Sequence, residues 1–136
     1  MHEITTFLMF DGNAQEAMNL YISLFPNSAV ESLSLYQENE DGPAGTVHHA
    51  IFSLNGQRLM CIDSPIKHGF GFTPAISLYV RCDSESDLDR LYAGLSEGGQ
   101  VLMPLDAYPF SKRYAWISDR YGVSWQLSLA DTSGPA

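Results

Sequence analysis

Thr46-Val47-His48-His49-Ala50-Ile51-Phe52-Ser53-Leu54-Asn55-Gly56-Gln57-Arg58-Leu59-Met60-Cys61-Ile62 holds two apolar, β-prone runs around a single Asn-Gly pair. A two-residue type I′ turn needs positive φ at both central positions, and Asn-Gly adopts that conformation at least cost. The stretch therefore reads as two antiparallel strands joined by a tight hairpin. Upstream, residues 30–37 form another strand-like run, followed by a polar loop, 38–45, built on Asp41-Gly42-Pro43. Earlier still, Ala14, Ala17, Met18, Tyr21, Ile22 and Phe25 recur at helical spacing and make one apolar stripe. Asn13 is the expected N-cap, with Glu16 three residues on in an approximate capping box. Pro26 ends the helix. Residues 4–10 are apolar and β-branched and precede the turn Asp11-Gly12. The first half reads β-α-β-β-β.

The order then begins again. Residues 64–74 carry Pro65, Gly69, Gly71 and Pro74 and read as a connector. Residues 75–80 read as a strand, and Asp83 or Ser84 caps a helix with the stripe Leu88, Leu91, Tyr92, Leu95. Gly98-Gly99 ends that helix. Strands are expected at 101–105, 113–118 and 123–129, with a loop over 106–112 and a turn at Asp119-Arg120-Tyr121-Gly122. The tail, 130–136, reads as frayed. A shift of 70 places Phe10 on Val80, Asn13 on Asp83, Met18 on Leu88 and Tyr21 on Leu91. The same plan is used twice, and neither copy buries its sheet alone. The expected fold class is α+β: a single domain over 1–136, with modules at 1–63 and 75–130 forming curved mixed sheets around a cavity.

Sixteen acids against seven bases give a net charge of -9. Such a surface repels phosphate backbones and anionic membranes, so neither nucleic acid nor membrane is an expected partner. No stretch approaches the roughly 20 apolar residues of a membrane span, and the first residues lack a signal-peptide pattern. Cys61 and Cys82, without CxxC spacing, fit two structural thiols in a reducing, cytoplasmic setting.

Several motifs resemble the glyoxalase/bleomycin-resistance/extradiol-dioxygenase (vicinal-oxygen-chelate) superfamily, in particular its PhnB-like branch. That branch often carries the name 3-demethylubiquinone-9 3-methyltransferase. The motifs are Phe10-Asp11-Gly12-Asn13-Ala14, Tyr21 with Leu24-Phe25-Pro26, and Phe52-Ser53-Leu54-Asn55-Gly56-Gln57. Ala75-Ile76-Ser77-Leu78 also matches, and the longest match runs unbroken from Tyr114 to Gln126. The resemblance implies two βαβββ modules, a ligand cavity and a homodimer.

In metal-binding members, ligands sit on four inward strand positions. Here those positions take Thr6, Cys61, Ala75 and Gln126, a set without the imidazoles and carboxylates a divalent ion requires. His48 and His49 are adjacent on a strand and point to opposite faces, so they do not chelate together. No metal and no cofactor is therefore expected. The methyltransferase name also lacks support in the residues, since no Gly-rich strand-to-helix turn for a nucleotide-like donor is present. Asp119 reads as an Asx-turn residue bonding backbone two residues on. Asp63 reads either as a turn cap or as a group at the cavity rim.

Strand alternation from the same four positions assigns the cavity wall. The candidates are Thr6, Leu8, Phe10, Cys61, Asp63, Ser77, Tyr79, Ser124 and Gln126, with Phe110 and Arg113 on a mouth loop; one of His48 and His49 faces the cavity as well, which of them being open, and His48 is carried as the candidate. Trp125 and Leu127 then face the helix. An apolar wall with a few placed polar groups suits a small-molecule ligand. The expected function is small-molecule binding without a glyoxalase-type metal site. Two other readings stay open: an enzyme (a metal-assisted lyase, isomerase or dioxygenase, or a methyltransferase) and a structural dimer with a plugged cavity. No catalytic residue is identified.

Overall fold

A computed structural model describes residues 2–130. The chain divides into two compact units, Met1–Phe70 and Gly71–Ala136. Each is a βαβββ module with a four-stranded mixed sheet and one helix, the architecture of the glyoxalase/bleomycin-resistance fold.

The first unit runs β1 (Thr6–Phe10), α1 (Ala14–Leu24), β2 (Ala29–Leu35), β3 (Val47–Leu54), β4 (Gln57–Asp63). Its sheet order is β1-β4-β3-β2, with β1 parallel to β4 and the other neighbours antiparallel. The β3–β4 hairpin turns through Asn55 at φ 49° and Gly56 at φ 86°, the type I′ geometry that its sequence demands. Ala14, Ala17, Met18 and Tyr21 bury one stripe of α1. They meet the sheet face that carries Leu8, Phe10, Ala50, Phe52, Leu59, Cys61 and Asp63, all buried. Burying a side chain the size of Met18 or Phe52 contributes about 1.5–3 kcal/mol.

The start of α1 departs from expectation. Asn13 makes no side-chain capping bond. Asp63, at the end of β4, takes that role from 49 and more residues away. Its Oδ1 accepts from the N–H groups of Gly12 (2.8 Å) and Ala14 (3.0 Å), and its Oδ2 from Val47 N–H (2.8 Å). A full negative charge against the positive end of a helix is a stronger cap than an amide. It also joins three segments that are distant in sequence.

The second unit runs β5 (Leu78–Cys82), α2 (Glu85–Ser96), β6 (Gln100–Tyr108), β7 (Ser111–Ser118), β8 (Ser124–Leu129), in sheet order β5-β8-β7-β6. Ser84 caps α2, its Oγ accepting from Asp87 N–H at 3.2 Å. Leu88, Leu91 and Leu95 of α2 pack on a face with Ala115, Ile117, Trp125 and Leu127. Asp119 lies just after β7. Its Oδ1 accepts from Tyr121 and Val123 N–H, and its Oδ2 accepts from the Trp125 indole at 2.9 Å. Gly99 sits where a Cβ would come within 2.1 Å of the Ser118 carbonyl oxygen, so β6 reaches β7 only with glycine there.

Three expected boundaries are corrected. The fifth strand starts at Leu78, not 75, because Ala75 lies in a turn where its N–H donates to Thr73 Oγ1. That strand continues to Cys82, whose carbonyl accepts from Ala130 N–H at 2.7 Å. Ala130 is thus tied down; the rest of the tail, 131–136, lies outside the described residues. The expected loop over 106–112 is a hairpin, with Tyr108 paired to Ser111 across Pro109-Phe110. Pro104 lies within β6, a bulged edge strand, where a missing N–H is tolerated, and Pro109 lies in the turn after it.

Two outcomes follow from these cores. Asp63→Ala strands three backbone N–H groups, so urea unfolding should show a loss of at least about 3 kcal/mol. Asp11→Ala, at an exposed turn, should stay within about 0.5 kcal/mol of the parent. Burial is also the main reason that the Cys61 thiol is pushed up to about 12 and the Cys82 thiol to about 11, with nearby carboxylates (Asp63; Asp87 and Asp83) adding to it. Both thiols stay protonated in the folded chain while unfolded thiols ionise near ~8.5. Their contribution is therefore full below about pH 8.5 and is lost as the pH rises toward the folded values. Iodoacetamide at pH 8 should label neither cysteine in native protein and both in urea.

Candidate functional site

Each sheet has a second face, turned away from its helix. In the first unit that face carries Phe7, Met9, Ile51, Ser53, Met60 and Ile62, as the register of β1, β3 and β4 requires. The expected faces of β1 and β4 are therefore corrected by one residue. Thr6, Leu8, Phe10, Cys61 and Asp63 lie on the helix side, and all but the half-buried Thr6 are buried. The repeat already contained the answer. A shift of 70 puts Phe10 on Val80, which must face α2 if Tyr79 faces away, so Phe7 and Met9 match Ser77 and Tyr79.

His48 is exposed beside a bulge between β2 and β3, its ring 4.8 Å from that of Tyr36. His49 is half-buried. A pocket of about 490 Å³ lies between the N-terminal arm at Glu3–Thr5 and the β3–β4 hairpin. Its cation, Arg58, is forked onto Glu31 (Nε–Oε2 2.9 Å, Nη2–Oε1 3.0 Å) and reaches Glu3 at 3.5 Å. That hydrogen-bonded guanidinium holds the Glu31 carboxyl below its ordinary range. The arginine's donors are engaged, so the pocket does not present a free cation.

In the second unit the face away from α2 is of another kind. The register aligns Tyr79 with Gln126 and Trp116, and Arg81 with Ser128 and Tyr114. Ser77, Tyr79, Ser124 and Gln126, four of the expected cavity positions, stand together on this face. Tyr114 donates to Gln126 Oε1 at 2.6 Å. The Trp116 indole donates to Ser124 Oγ at 2.8 Å, and Ser124 Oγ meets Ser77 Oγ at 2.7 Å. Phe110 and Tyr108 pack edge-on against the Tyr114 ring, at 4.8 and 5.6 Å. Burial, then the neighbouring phenols of Tyr79 and Tyr108, raise the Tyr114 phenol above its usual value. It stays a neutral donor at physiological pH. Tyr79 is 54% exposed and Phe110 63%.

Sequence reasoning missed Tyr114 and Trp116. Both sit at alternate positions on the strand opposite Gln126, and pairing β7 with β8 through the turn at Asp119 would have found them. Arg113, read as a mouth-loop clamp, is instead on the helix side. Its Nε donates to Asp89 Oδ1 of α2 at 2.8 Å and lies 3.6 Å from Glu85. The carboxylates bordering α2 pull it there, since Arg113 alternates with Ala115 and Ile117 of the core face.

The superfamily's metal does not fit these residues. Among the described residues no three His, Cys, Asp or Glu side chains are grouped to hold an ion, and Ala75 is not on a strand. The N-terminus of α1, the place for an anionic donor group, is filled by the Asp63 carboxylate. That of α2 is flanked by Glu85 and Asp87. Among the described residues no helix is long and apolar enough to cross a membrane.

Comparison with known proteins agrees with this architecture. The chain is 57% identical to a PhnB protein of Bacillus cereus described as a 3-demethylubiquinone-9 3-methyltransferase, with a TM-score of 0.93 over 95% of this chain and 100% of that one. It is 26% identical to protein PA1353 from Pseudomonas aeruginosa, with a TM-score of 0.81 over 95% and 98% of the two chains. The fosfomycin resistance protein FosX of Listeria monocytogenes shares the fold at 12% identity and a TM-score of 0.60, over 97% and 95%. No curated protein matches. The family model described as 3-demethylubiquinone-9 3-methyltransferase matches residues 2–128. The chain belongs to that family, the PhnB branch of the vicinal-oxygen-chelate superfamily.

Proposed function

We propose that this protein binds a small molecule on the second-unit face formed by Tyr79, Tyr114, Trp116 and Gln126. One observation carries the reading. The Gln126 amide is fixed at one end by the Tyr114 hydroxyl, while its other end has no partner among the described residues, on a half-open surface. A fixed amide with one free end is a recognition group, because its orientation cost is met before a ligand arrives. Tyr79 offers a hydroxyl with no partner among the described residues, and the rings of Tyr79 and Trp116 offer planar apolar area. Such a wall, aromatic with a few oriented polar atoms, is the usual make-up of a ligand site. The family's methyltransferase name gains no support from either helix N-terminus, so binding without methyl transfer is the reading adopted.

The protein is further taken to be a cytoplasmic homodimer, with the two units as halves of one domain over 1–136. The family resemblance and the two buried thiols support this. Native mass spectrometry should then read twice 15.0 kDa, and denaturation should show one cooperative transition.

Fluorescence tests the site directly. Trp125 is 1% exposed beneath α2, whereas Trp116 is half-buried on the proposed face. A ligand drawn from a metabolite screen should change the emission of the parent and leave that of Trp116→Phe unaltered. Tyr114→Phe frees the Gln126 amide to rotate. It should weaken binding about fivefold, the equivalent of about 1 kcal/mol, with thermal stability little changed. An emission change that persists in Trp116→Phe sinks the assignment.

A further inference from the structure

The chain contains five arginines, and four of them are held by carboxylates. Arg58 is on Glu31, Arg90 on Asp87, Arg113 on Asp89 and Arg120 on Glu97. In a molecule of net charge -9, such pairing is what mass action favours. Arg81 is the exception: among the described residues it has no ion-pair partner. Its position is also specific. It lies on β5 two residues after Tyr79, so both side chains project from the face away from α2. The register sets it opposite Ser128, which in turn is opposite Tyr114. The neighbouring row is Tyr79, Gln126, Trp116. Strands about 4.8 Å apart and residues about 6.6 Å apart along a strand put the cation next to the Tyr79 phenol, with the Tyr114 phenol two strands away and the indole two strands over and one row on.

Resting on the binding reading above, we propose that the ligand of this face is an aromatic carboxylate, its ring on Tyr79 and Trp116 and its carboxylate on Arg81. The guanidinium is planar and presents paired donors that match a carboxylate edge to edge. The free N–H end of Gln126 and the Tyr79 hydroxyl add donors on the same side. The carboxylate on this face, Asp106, stands opposite Tyr114 on β6, at the other edge of the sheet from Arg81. The acidic remainder of the surface repels anions at long range, so recognition depends on short-range contact with the ring and the fork together. Small aliphatic acids lack the ring and are poor ligands here. Neutral aromatics lack the charge and bind more weakly.

The test uses the full chain and four probes: 2-naphthoate, its neutral isostere 2-naphthamide, benzoate and acetate. Affinity is read by calorimetry and by Trp116 emission. Naphthoate should bind about tenfold tighter than naphthamide, and acetate should not bind measurably. Added sodium chloride should weaken naphthoate and leave naphthamide unchanged. Arg81→Gln should bring the two within about twofold by weakening only the acid, whereas Arg81→Lys should keep part of the difference. Arg90→Gln, on α2, should leave naphthoate binding as it was. Arg81 lies on an edge strand with its side chain exposed, and an unchanged circular dichroism melt verifies that Arg81→Gln is folded. Equal affinity for acid and amide in the parent overturns the anion assignment while leaving the binding reading intact. So does naphthoate affinity that survives Arg81→Gln. If none of the aromatic probes binds or perturbs the Trp116 and Tyr79 amide resonances, both readings fall together.

Discussion

The first unit depends on one carboxylate. Asp63 is 2% exposed and accepts three backbone N–H bonds. Its donors come from the β1–α1 turn, the first turn of the helix and the start of β3. Without it the helix would have a free end over an apolar sheet. With it, the angle at which α1 lies on the sheet is set at its N-terminus. A buried charge is costly to desolvate, but here two oxygens meet three well-placed dipoles. The second unit solves the matching problem at another corner. Asp119 gathers Tyr121, Val123 and the Trp125 indole, so the β7–β8 turn and the largest core side chain share one anchor. Repeated architecture thus does not imply repeated fastening.

These anchors explain why sequence reading succeeded for elements and failed for faces. Asn55-Gly56, the α1 and α2 stripes and Gly98-Gly99 are local signals, and local chemistry decides such features. Asp63 acts over about fifty residues, so its role was legible only as one option beside a cavity position. The face of β1 turned on a one-residue choice, and alternation inverts every side chain when that choice slips. Apolar content offered no correction, since both faces of β1 and β4 are apolar: Leu8, Phe10 and Cys61 on one, Phe7, Met9, Met60 and Ile62 on the other. In the second unit the two faces differ in polarity, and alternation puts Ser77, Tyr79, Ser124 and Gln126 on one face, as the register does. Arg113 was misread because its partners, Asp89 and Glu85, lie on a helix about 25 residues earlier.

The candidate site is therefore a contrast between two sheets of one plan. One presents methionine, isoleucine and phenylalanine; the other presents phenols, an indole, hydroxyls and an amide wired to each other. The wiring matters more than the residue types. Tyr114 bonded to Gln126, and Trp116 bonded to Ser124, which in turn bonds Ser77, hold polar atoms at fixed points on an otherwise apolar wall. Fixed points of this kind discriminate between ligands of similar shape, because a mismatched ligand leaves a desolvated donor unpaired.

Each helix packs on one side of its sheet, and Asp63, Asp119, the leucine stripe of α2 and the Arg113 bridge to Asp89 serve that side. The opposite side has bonds of its own, in the second unit Tyr114 to Gln126 and Trp116 to Ser124 to Ser77, but it also carries exposed positions that no helix covers. Exposed residues such as Phe7 and its neighbour Met9, or Tyr79, can be exchanged while the module still forms. A lineage that duplicates such a module gains a surface on which new chemistry can be tried at little risk to folding. The divergence between the two halves of this chain has the form such a history would leave, and it makes the scaffold an economical starting point for redesigning what it recognises.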